Sequence, residues 1–310
     1  MSKTAFIFPG QGSQTVGMLS DFADEPVFSH TFNEASGALG YDLWDLVANG
    51  PTEKLNSTEI TQPALLTAGV ALWRYWEQRG GFRPHFLAGH SLGEYTALTC
   101  AGVFSLGDAA RLVAKRGELM QTAVPQGTGA MAAILGLQDD QVRAACASAA
   151  QGGVVEAVNL NAPGQVVIAG DTAAVERAIE ACKEAGARRA MPLPVSVPSH
   201  CALMKPAADQ LADVIADVKM FRPEVPVINN VDVVATHDVD EIRDALIRQL
   251  YSPVRWVETV QKLHSEGVTH AYECGPNKVL AGLLKRIEKT IVVLPMENKK
   301  AIIEATPLPM

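Results

Sequence analysis

Short apolar runs, each bounded by Gly, Pro or Asn, recur along this chain and alternate with longer stretches of helical periodicity. Residues 4–8, 86–88, 154–159, 166–169, 226–229 and 271–273 read as buried strands, being short, apolar and closed by turn residues. Helical patterns fall over residues 62–78, 92–100, 106–122 and 253–266. Strands alternating with helices predict an α/β fold whose mostly parallel sheet is covered on both faces. A length of 310 residues, 48% of them hydrophobic, suits about two domains with a sizeable buried core.

One stretch has a rhythm of its own. A strand over 129–136 is followed by a helix over 139–150, then by two strands running through Gly170 and joined at Asn161-Ala162-Pro163-Gly164. A second helix over 172–185 and a strand over 188–195 complete a βαββαβ order, the pattern of a ferredoxin-like unit. Pro125-Gln126-Gly127 on one side and Pro192, Pro194 and Pro198 on the other mark its borders. The expected organisation is therefore a discontinuous core of residues 1–126 and 198–310, interrupted by a small domain of residues 127–197.

Composition excludes several classes. No apolar run approaches the ~18 residues of a membrane span, and the apolar start breaks at Pro9-Gly10, too early for a secretory signal. The five cysteines are scattered, without C-x-x-C or metal-ligand spacing, which fits a reducing compartment and no metal site. A formal net charge of −8 argues against nucleic acid as a partner. A cytoplasmic protein is expected.

The chemistry centres on Gly89-His90-Ser91-Leu92-Gly93, a G-x-S-x-G that follows an apolar strand and precedes a helical pattern. On such a turn the glycines allow close backbone packing and the serine projects outward, while free amides at the helix start can meet a developing oxyanion. A chance match in a Gly-rich turn is the plain alternative. A serine hydroxyl needs a base, and seven histidines compete for that place. His200, in Pro198-Ser199-His200-Cys201, lies at a proline-marked domain border; His90 adjoins the serine but suits a structural role better.

Arg116 falls on the inward stripe Ala109, Leu112, Val113, Arg116, Met120 of its helix. A guanidinium there is costly unless an anion meets it. Either it pairs with a protein carboxylate or reaches out to solvent, or its planar fork awaits a substrate carboxylate. The loop Pro9-Gly10-Gln11-Gly12-Ser13-Gln14 follows the first strand and matches no dinucleotide or phosphate-loop pattern. It lies where open α/β sheets place their sites, at the carboxyl end of a parallel strand.

Together these motifs resemble the malonyl-CoA:acyl carrier protein transacylases of fatty-acid synthesis, relatives of the acyltransferase domains of polyketide synthases. The resemblance is carried by Phe8 to Gln14, Thr61-Gln62-Pro63-Ala64, Gly89 to Tyr95, Arg116, Asn159-Leu160-Asn161-Ala162-Pro163-Gly164-Gln165, Ser199-His200 and Glu273-Cys274-Gly275-Pro276, in the family's order. The stretch from Met296 to Met310 carries no motif and lies outside it.

The resemblance implies an α/β-hydrolase-like core with a ferredoxin-like insert. It implies Ser91 as nucleophile, His200 as general base and then acid, and the backbone N–H groups of Gln11 and Leu92 as oxyanion hole. Arg116 would clamp the malonyl carboxylate, Gln249 would orient the histidine, and Gln62 and Asn161 would line the site. Malonyl-CoA and acyl carrier protein are the implied partners, with no cofactor and no metal, and a monomer is expected. Because carrier proteins are acidic, Arg188-Arg189 and Lys285-Arg286 are candidate docking residues; two solvated charge pairs are the plain alternative. A serine esterase or thioesterase is the rival, and would call on a late histidine such as His264 or His270.

Overall fold

The computed structural model describes residues 2–195 and 197–305. Among these described residues nine strands form two sheets. The strands are β1 Lys3–Phe8, β2 Phe86–Gly89, β3 Gly129–Leu135, β4 Val155–Ala162, β5 Gln165–Asp171, β6 Arg189–Pro192, β7 Val227–Ile228, β8 Val268–Glu273 and β9 Val292–Pro295. The larger sheet has the order β7-β2-β1-β8-β9 and is parallel throughout.

Its central strand shows why both faces are covered. Side chains alternate across a strand: Phe6 and Phe8 enter one apolar cluster, Ala5 and Ile7 another. The first cluster packs the sheet against helices Pro26–Leu39, Thr58–Gln78 and Leu106–Thr122, with Phe6 edge-on to Trp73 and Trp76. The second is closed by Trp256 and Leu263 of helix Trp256–Ser265 and by Leu280 and Leu284 of helix Val279–Ile287.

The smaller sheet, β4-β5-β3-β6, is antiparallel. Helices Asp139–Ala150 and Thr172–Glu184 cover one face, burying Val142, Cys146, Val175 and Ile179 against Ile134 and Ile168. Its element order is the βαββαβ expected from sequence. The other face turns Met131 and Val158 toward the larger unit. Backbone bonds from Leu160 N to Val254 O (3.0 Å) and from Val254 N to Val158 O (2.8 Å) tie β4 to it.

Several elements were not expected. Helices Pro26–Leu39, Lys205–Ala216, Val239–Gln249 and Val279–Ile287 and the edge strand β9 extend the fold. Part of the stretch from Met296 onward is also structured. Helix Lys299–Ala305 buries Ile302, the Lys299 backbone N donates to Asp21 Oδ2 at 2.7 Å, and its ammonium pairs with Asp24 and Glu25. Residues 306–310 of that stretch lie outside the described residues. No described helix is long and apolar enough to cross a membrane.

Candidate active site

Between the two sheets lies a cleft of about 400 Å³. The carboxyl ends of β1 and β2 supply its floor through Gly10, Gln11, His90, Ser91 and Leu92; β3, β4 and β5 supply its roof through Met131, Asn161 and Val167. Ser91 sits between β2 and the helix Leu92–Cys100 with φ 53° and ψ −111°. That backbone is strained for a serine and aims its hydroxyl into the cleft. The turn closes so tightly that a Cβ on Gly89 would stand 1.9 Å from the Gly93 carbonyl carbon. Gly10 in turn brings the β1 loop onto the turn, since a Cβ there would meet the His90 oxygen at 2.6 Å. Gln11 and Leu92 thereby line one wall, and among the described residues neither backbone N–H meets a protein acceptor.

His200 comes from the segment after the small sheet. Its Nε2 lies 2.8 Å from Ser91 Oγ, and its Nδ1 lies 2.8 Å from the backbone oxygen of Gln249. A carbonyl only accepts, so Nδ1 carries the proton and Nε2 is the free lone pair facing the serine. Burial lowers the imidazole pKa to about 3, with the nearby Arg116 charge adding to the effect and the Gln249 bond opposing it. His200 is therefore neutral, the form a base requires.

Arg116 is 1% exposed, yet no carboxylate pairs with it among the described residues. Nη1 donates to Gln62 Oε1 at 2.8 Å, and Nη2 to Gln249 Oε1 at 2.9 Å and to Ser91 Oγ at 3.3 Å. The guanidinium lies 5.1 Å from the centre of the Tyr95 ring, and its Nε is buried without a partner. Neutral amides thus fix the fork in place beside the nucleophile, with no directly paired anion among the described residues; the Glu94 carboxyl acts on it only through space. This removes both plain alternatives for Arg116, the protein ion pair and the escape to solvent.

The other expected residues fall as follows. Gln62 sits behind Arg116, out of the cleft lining, where its carbonyl holds the fork. Asn161 lines the cleft and its Oδ1 accepts from His90 Nε2 at 2.8 Å, which gives His90 a bracing contact on the roof. His264 is exposed on its helix beside Thr290, and His270 bonds Thr269 on β8. Neither lines the cleft. Arg188, Arg189, Lys285 and Arg286 are all exposed. Leu135 pairs with both Gln165 and Arg189 across the small sheet, and Arg286 donates to Gln165, a cleft residue, so these charges gather at one rim.

Two residues beneath the nucleophile carry no assigned role from sequence, although Glu94 lies within the Gly89 to Tyr95 motif. Asn230 Oδ1 accepts from Ser91 N at 2.8 Å and its Nδ2 donates to Gly89 O at 2.7 Å. Glu94 is 2% exposed and accepts from Asn230 N at 2.9 Å and Gln249 Nε2 at 2.8 Å. Burial lifts its carboxyl to about 7 against those hydrogen bonds. The Asn229-Asn230 pair directly after an apolar strand, at the sheet's site-bearing edge, was the available signal.

A hydroxyl facing a neutral imidazole, beside two amides that meet no described acceptor and a buried guanidinium, is an arrangement able to carry acyl transfer. The acyl transferase domain family matches residues 5–297, and the chain belongs to that family. A protein of Escherichia coli (strain K12) named malonyl CoA-acyl carrier protein transacylase is 60% identical over 309 residues, covering 99% of this chain and 100% of its own. Among solved structures, an acyl carrier protein S-malonyltransferase from Vibrio cholerae is 60% identical with a TM-score of 0.97, over 98% of this chain and 100% of that one. A malonyl-transacylase solved in complex with a type II PKS acyl-carrier protein is 56% identical with a TM-score of 0.97, over 98% of this chain and 99% of that one.

Proposed function

We propose that this chain transfers the malonyl group from malonyl-CoA to the phosphopantetheine thiol of acyl carrier protein through a malonyl-serine intermediate, supplying fatty-acid synthesis. The observation that carries this reading is Arg116, a buried cation that no carboxylate pairs with directly among the described residues, 3.3 Å from Ser91 Oγ. A malonyl thioester brings a free carboxylate to that fork; an acetyl or simple ester substrate does not. The relatives' names support the same substrate and acceptor.

In the proposed cycle Ser91 Oγ attacks the thioester carbonyl as His200 Nε2 takes its proton. The tetrahedral oxyanion rests on the Gln11 and Leu92 N–H groups, and such a preorganised donor is worth about 3–4 kcal/mol. The C–S bond breaks, and the departing CoA sulfur takes the proton from His200. Carrier thiol then attacks the malonyl ester by the reverse path. The malonyl carboxylate also offsets the Arg116 charge, which adds to burial in lowering His200, so the correct substrate makes the imidazole a better proton acceptor. Gln249 orients His200 through its backbone oxygen and Arg116 through its side chain. Asn161 and Gln62 support the site from either side. No cofactor or metal enters this cycle.

The same reading takes residues 1–126 and 198–310 as an α/β-hydrolase-like core and 127–197 as a ferredoxin-like insert. The separate antiparallel sheet with its own apolar cluster supports that division. It also takes the protein as a cytoplasmic monomer that engages neither nucleic acid nor membrane, in keeping with its net charge of −8.

Incubation with malonyl-CoA alone is expected to leave a malonyl adduct that a pantetheine thiol discharges faster than water does. Faster discharge by water would make the chain a hydrolase. The rim charges give a further expectation. With Arg188, Arg189 and Lys285 changed to Glu, KM for carrier protein should rise while acylation by malonyl-CoA keeps its rate. Arg286 is left in place because it bonds the cleft residue Gln165. An unchanged KM for carrier protein would remove these residues from the docking face.

A further inference from the structure

We infer that Glu94 is a positioning residue for the transfer: its buried carboxylate fixes the Asn230 backbone under the nucleophile and the Gln249 amide under the acid clamp, in the orientations both require. This rests on the malonyl-transfer reading above. Glu94 lies three residues beyond Ser91, on the helix that the nucleophile opens, and points away from the cleft. It contacts neither His200 nor the cleft space, so it is not a third triad member; His200 Nδ1 already has the Gln249 carbonyl.

The two ends of the Gln249 amide are not interchangeable. Oε1 faces the Arg116 Nη2 donor at 2.9 Å, while Nε2 faces Glu94 Oε2 at 2.8 Å, Ser91 O at 3.1 Å and Asn230 Oδ1 at 3.4 Å. A flipped amide would set its NH2 against the guanidinium, donor to donor, and release the fork. Glu94 Oε2 faces two N–H donors and therefore serves as their acceptor, which holds the productive orientation. The same Oε2 accepts from Asn230 N at 2.9 Å. Asn230 then spans the strained turn, accepting from Ser91 N and donating to Gly89 O. One oxygen therefore braces the serine and the arginine together, which couples the rate of attack to the recognition of the malonyl carboxylate.

What Glu94 supplies is acceptor geometry, and a pair of variants separates geometry from charge. Glu94→Gln keeps the length of the side chain and can turn its amide oxygen to both donors. Glu94→Asp keeps the charge but draws the carboxylate back by one methylene. The readout is the ratio of kcat/KM for malonyl-CoA to that for acetyl-CoA, which is independent of the fraction of folded enzyme. Glu94→Asp should lower this ratio about tenfold or more, the effect of a buried donor left unpaired, whereas Glu94→Gln should stay within about threefold of the unsubstituted protein. A ratio unchanged in Glu94→Asp, with both transfers falling together, would reduce Glu94 to packing and overturn the inference. A tenfold shift in Glu94→Gln would overturn it too, and this decides the matter even where Glu94→Asp does not fold. Failure of the malonyl-transfer reading would look different: the unsubstituted protein itself would not favour malonyl-CoA.

Discussion

Arg116→Ala is expected to lower kcat/KM for malonyl-CoA by about 30- to 5,000-fold, the equivalent of the roughly 2–5 kcal/mol lost when one partner of a buried charge pair is truncated. Acetyl transfer should rise relative to malonyl transfer. The physical reason lies in how the fork is held. Gln62 and Gln249 satisfy two of its N–H groups without neutralising it, so the guanidinium is preorganised and still cationic when substrate arrives. Acetyl-CoA gains nothing from that charge, and the empty fork depresses the His200 base throughout. Removing Arg116 deprives malonyl-CoA of its anchor and relieves acetyl-CoA of a penalty. Steady-state kinetics with the two thioesters measures both changes, and an unchanged malonyl-to-acetyl ratio would take the carboxylate clamp out of the account.

His200→Ala should slow formation of the acyl-enzyme by about 10²- to 10⁴-fold, the range of a positioned general base. Ser91 would remain on its turn, since its backbone is held by Asn230 and not by the imidazole. The intact protein should show a matching pH dependence. The working form of His200 is the neutral one, and a lowered pKa keeps it neutral as pH falls. kcat/KM for malonyl-CoA should therefore hold as pH passes through about 6.5, where an ordinary histidine would be protonated, and decline only toward the depressed value of about 3. The stability consequence has the opposite convenience. The unfolded chain takes up the His200 proton below about 6.5 while the folded one does not, so this group's contribution to stability falls as pH drops from there. Rapid-mixing measurement of acylation across pH, with folding followed in parallel, separates loss of the base from loss of the fold. An acylation limb at the ordinary histidine pKa, with the fold intact, would contradict the neutral-base geometry.

How much of this was legible in the sequence depended on which groups have a sequence signature. The nucleophile turn was readable because its constraints fall on side chains: Gly89, Ser91 and Gly93 recur at fixed spacing between an apolar strand and a helix, and each glycine answers a close approach. Arg116 was readable as an anomaly, a cation on an apolar stripe, although its lack of a protein anion became visible only in three dimensions. Gln249 shows the limit. Its decisive contact with His200 is made by a backbone oxygen, which every residue possesses, so its own side chain says nothing about it. Glu94 stood in plain sight within the motif, but its partners Asn230 and Gln249 lie more than 130 residues away. Sequence periodicity carries no information about such pairs.

The fold divided in the same way. Central strands announce themselves because both faces are buried; β9, at the sheet edge, leaves Val292 and Leu294 exposed and spans four residues, too short for a clear pattern. Helix Val239–Gln249 carries an N-cap at Asp238, whose side chain accepts from the backbone of Asp240 and Glu241. That polar opening reads as loop unless the buried positions Ile242, Ala245, Leu246 and Gln249 are seen to share a face. Of the late stretch that carried no motif, the described helix Lys299–Ala305 is anchored by ion pairs to Asp24 and Glu25, again a contact between distant parts of the chain.

The most direct test of the central claim is to locate the acyl group. The protein is incubated with malonyl-CoA in the absence of carrier protein, digested, and its peptides are sequenced by mass spectrometry. One malonyl ester is expected, on Ser91, absent from Ser91→Ala. Malonylation on another residue, or none at all while transfer to carrier protein proceeds at full rate, would contradict it.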